Sequence, residues 1–163
     1  MEQNSNPIYS FDIKNSTDLL RALLEQHSEF RGRTTSTPKA LALAMFSFHL
    51  TDWVAKEHFQ IRDKSELGGF RKTLYPVCPS LKIMHDIANG AKHLDLDPGR
   101  AKGQIETTTK NIGPFSNIFS KQFDQTALYI IMANGDKLYF EDEIEKVVNF
   151  WKEYFKTKFD IDV

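Results

Sequence analysis

ALYIIMANGDKLYFEDEIEKVVNFWKEYF, residues 127–155, changes its hydrophobic period halfway along, and that change decides the fold class. ALYIIMA at 127–133 and KLYF at 137–140 are rich in β-branched and aromatic residues. They flank Asn134-Gly135-Asp136, whose first two residues tolerate positive φ, so the segment reads as a β-hairpin. From Asp142-Glu143 onward, Ile144, Val147, Val148, Trp151, Tyr154 and Phe155 recur at helical spacing. Acidic residues open that helix, where its dipole favours them, and its apolar stripe should cap the sheet. Upstream, QIETTTK at 104–110 alternates and reads as a further strand that could continue to Ile112. Between strand and hairpin, Phe115, Ile118, Phe119 and Phe123 follow no decisive period and are expected in a loop that packs them inward.

The chain before residue 100 is helical in pattern. Asn15-Ser16-Thr17-Asp18 offers N-cap residues, and Leu19, Leu20, Leu23, Leu24, His27 and Phe30 form one stripe of a helix over about 17–30. Gly32 and the hydroxyl residues Thr34 to Thr37 break it; Thr37 as cap and Pro38 at the first helical position then start a second helix to about Phe59. Gly68-Gly69 is expected to be a joint, with one or two helical turns over Phe70–Tyr75 before Pro76 and Pro79. Ser80 should cap a third long helix carrying Leu81, Ile83, Met84, Ile87, Ala88, Ala91 and Leu94, which stops before Asp97-Pro98-Gly99. The expectation is an α+β fold forming a single domain over 1–163. Its parts are a helical bundle at 17–97, a small antiparallel sheet with a β-hairpin at 103–141 and a C-terminal amphipathic helix at 142–158.

Composition sets limits on function. Twenty-one Lys plus Arg balance 22 Asp plus Glu, which excludes a globally basic nucleic-acid coat, so any anion site must be local. One cysteine, Cys78, excludes an internal disulfide and a CxxC motif. MEQNSNPIYS has neither a basic nor an apolar signal region, and ALALAMFSFHL falls well short of a membrane span, so a cytoplasmic protein without a membrane partner is expected.

Several polar groups fall where apolar ones would be ordinary. On the second helix Leu41, Ala44, Met45, Phe48, Ala55 and Phe59 mark one face, with Asp52 near its centre and His49 on its flank. A carboxylate on a buried stripe needs a partner, which points either to a structural ion pair or to a group that orients a histidine. The third long helix offers candidates: His85, Asn89 and Lys92 line a polar stripe at i, i+4 and i+7, with His93 at its edge. That stripe is either a solvated face or a site in which a neutral imidazole acts as base and Asn fixes its tautomer. Gly90 inside the helix suggests close packing of another backbone or a ligand, or else a kink. A metal reading joins His49 and Asp52, at i and i+3, with His85 or His93 and possible help from Asp86. Cys78, between Val77 and Pro79, reads as a packed thiol. Arg62, Lys64, Arg71, Lys72, Lys82 and Lys92 could make a local phosphate-binding strip or an ordinary surface.

Ala88-Asn89-Gly90-Ala91-Lys92-His93 resembles the signature of the HEPN (higher eukaryotes and prokaryotes nucleotide-binding) helical domains. That signature is an arginine, a polar residue often Asn, three variable residues and a histidine. Asn89 and His93 match, whereas Ala88 stands at the arginine position. The resemblance implies a helical bundle over about 17–97, dimers that cut RNA without metal, and a place in toxin or phage-defence systems. It would make His93 the base or acid at a ribose 2′-hydroxyl and Asn89 its orienting partner, with Lys92 in place of the arginine. The arginine departure equally fits a degenerate, non-catalytic relative. FHLTDW and DIANGAKH also resemble segments of small bacterial proteins without an assigned function. Three expectations follow: a HEPN-like RNA-associated protein, active or degenerate; a non-enzymatic interaction module of a bacterial defence or regulatory system; and a metal-dependent hydrolase using His49, Asp52 and His85 or His93. No cofactor is expected, and the possible partners are RNA, another protein or a second copy.

Overall fold

A computed structural model describes residues 10–92, 104–114, 121 and 125–163. Among these residues the order is α1 (Ser16–Arg31), α2 (Thr37–His58), α3 (Lys64–Leu74), α4 (Pro79–Lys92), β1 (Ile105–Asn111), β2 (Ala127–Met132), β3 (Lys137–Tyr139) and α5 (Phe140–Phe159). The fold is α+β, as the switch of period indicates. The strands form an antiparallel sheet in the order β1-β2-β3. Thr108 lies opposite Ile130 in the first ladder and Ile130 opposite Leu138 in the second. Gly135 in the hairpin turn has φ +90°, a conformation open to glycine at little cost.

One apolar cluster runs through the helices and into the sheet. Leu20, Leu23, Leu43, Leu50, Leu81, Met84, Ile130, Ile144, Trp151 and Phe155 belong to it and are almost wholly withdrawn from solvent. α5 closes it, touching α1, α2, α4, β2 and β3. No helix among the described residues is long and apolar enough to cross a membrane. The loop expected to carry Phe115, Ile118, Phe119 and Phe123, and the helix end expected before Asp97, fall outside the described residues.

Five expectations need correction. Ser36, not Thr37, stands at the N-cap of α2, whose first two positions are Thr37 and Pro38. Gly68-Gly69 is not a joint but lies inside α3, which Asp63 starts by accepting from Ser65 N at 2.8 Å and Glu66 N at 3.3 Å. Asp63 with Glu66 three residues later is the pattern of a capping box, and burial of Leu67 and Leu74 offsets the poor helix propensity of the glycines. Ser80 does not cap α4, which starts at Pro79; its hydroxyl donates instead to Glu143 at 2.5 Å. α5 begins at Phe140, before Asp142, as β3 runs straight into it. The buried face of α2 is Ala40, Leu43, Ala44, Ser47, Phe48, Leu50, Thr51, Val54 and Ala55, while Leu41, Met45 and Phe59 are 37, 39 and 45 % exposed. α2 carries apolar residues on every side, so its pattern admits more than one stripe, and packing against α1, α4 and α5 selects among them.

Candidate functional site

Phe48 and Asp52 stand one turn apart on α2, and Arg71 and Tyr75 are one turn apart at the end of α3. His85 of α4 meets both pairs. Arg71 Nε donates to Asp52 Oδ1 at 3.1 Å, and Arg71 Nη2 bonds the same oxygen. Thr51 Oγ1, which donates to Phe48 O at 2.7 Å, lies 3.3 Å from Asp52 Oδ1. The Arg71 guanidinium carbon lies 4.8 Å from the centre of the Phe48 ring. Phe48 stacks on His85, with centroids 4.1 Å apart and planes within 6°. His85 Nδ1 and the Tyr75 hydroxyl are 2.6 Å apart in a hydrogen bond whose direction follows the imidazole tautomer.

Burial sets the protonation of this cluster. Desolvation pulls His85 from 6.5 down to about 4, with the Arg71 charge adding to the effect and Asp52 opposing it. Desolvation also lifts the Tyr75 phenol to about 12, against the pull of Arg71. At neutral pH the Tyr75–His85 bond therefore joins two neutral groups. The cluster cross-links α2, α3 and α4 through one ion pair, one stack and one hydrogen bond.

The partner of Asp52 is thus Arg71 of α3 rather than a residue of α4, although His85 and Asp52 do share one cluster. Asp52 sits at the margin of the buried face, its side chain 21 % exposed. Asn89 is half-buried and Lys92 exposed, so the stripe rises towards solvent along α4. His93 lies outside the described residues. Nothing lies within 4 Å of a Cβ built on Gly90, so no described group packs closely there. His49 is exposed, its ring 5.4 Å from that of Phe48. Among the described residues no three His, Cys, Asp or Glu side chains are grouped so as to hold a metal ion, so His49, Asp52 and His85 do not form the expected centre, and the alternative with His93 falls outside those residues. Asp86 accepts from Gln104 N at 3.2 Å and ties α4 to the approach to β1; burial raises its carboxyl. In the basic strip Arg62, Lys64 and Lys72 are exposed, whereas Arg71 is committed to Asp52.

Arg71 entered the sequence reading only as a member of the basic strip, and Tyr75 only as the end of one or two helical turns. The Asp63 capping box signals the α3 helix that places them one turn apart. A second polar group missed is Glu143, 5 % exposed, which accepts from Ser80 and from Lys146 Nζ at 2.6 Å. Its place four residues before Val147, on the apolar stripe, is the signal that could have found it. Beside it a groove of about 620 Å³ runs between the α3–α4 turn and α5, lined by Val77, Cys78, Lys146, Phe150 and Tyr154 among others. Cys78 is buried, and desolvation raises its thiol, consistent with a packed side chain. Comparison of the chain with protein-family models, with curated proteins and with solved structures finds no match in any of the three.

Proposed function

We propose that the protein is a non-enzymatic interaction module whose polar stripe on α4 serves the architecture. The observation that carries this reading is the internal engagement of Asp52 and His85. Asp52 is held by Arg71, and His85 by Tyr75 and Phe48, with the imidazole kept neutral down to about pH 4. A general base works best with a pKa near the operating pH, and an imidazole this far below it retains a proton poorly. The bacterial defence or regulatory setting rests on the resemblance of the Asn89–His93 segment alone.

A second reading, the HEPN-like RNA-associated protein, keeps support from one feature. Asn89 and Lys92 continue the stripe beyond His85 towards solvent and towards position 93. Incubation of a mixed RNA with the purified protein in excess EDTA separates the two. The module reading expects intact RNA with the folded wild type. Cleavage that disappears in His93→Ala would overturn it and put the chemistry at His93, the residue that follows α4 in the sequence.

A further inference from the structure

β1 lies at the margin of the sheet and, among the described residues, has a strand neighbour on one side only. Residues Glu106 to Lys110 are all exposed. In an antiparallel ladder alternate residues direct their N–H and C=O groups at the neighbour and the others direct theirs away. An edge strand of this kind is a template for another strand unless its sequence prevents pairing. Here the sequence suits one particular partner. Glu106-Thr107-Thr108-Thr109-Lys110 carries opposite charges at its ends and β-branched residues between them. Its order of charges complements itself when read antiparallel.

We propose that β1 pairs with β1 of a second copy of this chain, antiparallel and centred on Thr108, making one continuous sheet across a two-fold axis. In that register Glu106 of each copy lies opposite Lys110 of the other, Thr107 opposite Thr109, and Thr108 opposite its own equivalent. The symmetry forms both charge pairs at once, as a closed two-fold interface requires. Opposite charges and Thr–Thr pairs facing across strands are favourable. A one-residue slip sets Glu106 opposite Asn111, and a slip of two sets it opposite Ile112, so neither keeps the charge pairs. The irregularity in the β1–β2 ladder lies between Ile105 and Thr107, so Glu106 is the residue that ladder leaves without an opposite, and it closes the proposed paired segment. A two-fold axis normal to the sheet keeps both helical layers on one side. There Leu41, 37 % exposed, lines a groove of about 150 Å³ with Thr108 and Lys110, so apolar surface from both copies flanks the seam. No residue of the Asp52 cluster takes part, and the inference goes beyond the module reading.

Sedimentation equilibrium of the full chain over a wide concentration range tests it. The wild type should dimerise. Glu106→Lys and Lys110→Glu each place two like-charge pairs across the seam and should weaken the dimer by roughly tenfold or more. The double variant Glu106→Lys/Lys110→Glu should recover wild-type dimerisation, and an equal mixture of the two single variants should form a heterodimer. A wild type that stays monomeric to its solubility limit overturns the proposal. So do single variants that dimerise like the wild type, or a double variant and a mixture that fail to recover. Both positions are exposed, so thermal unfolding should confirm the fold of every variant. If a reversal does unfold the chain, Glu106→Gln and Lys110→Gln test the same pairs by a smaller weakening.

Discussion

Asp52 shows how one residue on a helix margin recruits a cluster. Its carboxylate is mostly withdrawn from water, and Arg71 answers it with two donors to one oxygen, while the guanidinium also lies near Phe48. Removing one member strands the other partly desolvated. Asp52→Ala should therefore destabilise by about 1–3 kcal/mol in urea unfolding, and Asp52→Leu with Arg71→Met should cost less than the two single changes summed. His85 adds a pH dependence of definite sign. The folded protein keeps it neutral down to about 4, whereas the unfolded chain protonates it near 6.5. Between those values the unfolded state binds more protons, so stability falls as pH drops through the window and the loss is complete below it. A shift of this size corresponds to a loss on the order of 3 kcal/mol. His27, also lowered mainly by burial, acts in the same direction; Asp86, raised by burial, opposes at the acid end. His85→Phe keeps a ring to stack on Phe48 and removes the titration. The difference in its urea midpoint between about pH 7 and pH 4.5 should be smaller than that of the wild type.

At the scale of elements, α3 separates what the sequence reveals from what packing decides. Gly68-Gly69 suggested a break because each glycine costs about 1 kcal/mol against alanine in a helix. The helix nevertheless runs through both, started by Asp63 and anchored by Leu67 and Leu74. Gly69 is exposed, and nothing lies within 4 Å of a Cβ built on it. Gly69→Ala should therefore stabilise the protein by about 0.5–1 kcal/mol, a rise in melting temperature that calorimetry would detect. The hairpin at Asn134-Gly135, the stripe of α5 and the limits of α1 were legible because local chemistry determines each of them. The buried face of α2 was not, since a helix with apolar residues on every side leaves the choice to its neighbours. The same division holds at the site. His85, Asn89 and Lys92 could be placed on one stripe by counting residues, and the need of Asp52 for a partner followed from electrostatics. That the partner would be Arg71 depended on how α3 crosses α2, a tertiary fact that no local pattern carries.

At the scale of the molecule, α5 joins the hairpin to the bundle. Trp151 is fully buried, and its indole Nε1 donates to Ser47 O of α2 at 3.3 Å. Ile144, Val147 and Phe155 enter the same cluster as Leu20 of α1, Met84 of α4 and Ile130 of β2. The sheet supplies few buried side chains of its own: β1 is exposed along Glu106–Lys110, and the central strand β2 carries most of the contact. A small sheet of this kind has little stability by itself and draws on the helices it packs against. Loss of the bundle should therefore remove the sheet, and loosening of α5 should loosen both. The protein has two tryptophans, Trp53 on α2 and Trp151 on α5. Trp53→Phe leaves Trp151 as the sole indole reporter, set where bundle and α5 meet. Its fluorescence and the far-ultraviolet dichroism of all the helices should then follow one coincident denaturant transition. A Trp151 transition at clearly lower denaturant than the helical signal would mean that α5 and the hairpin detach as a separate unit, against the continuity of the core.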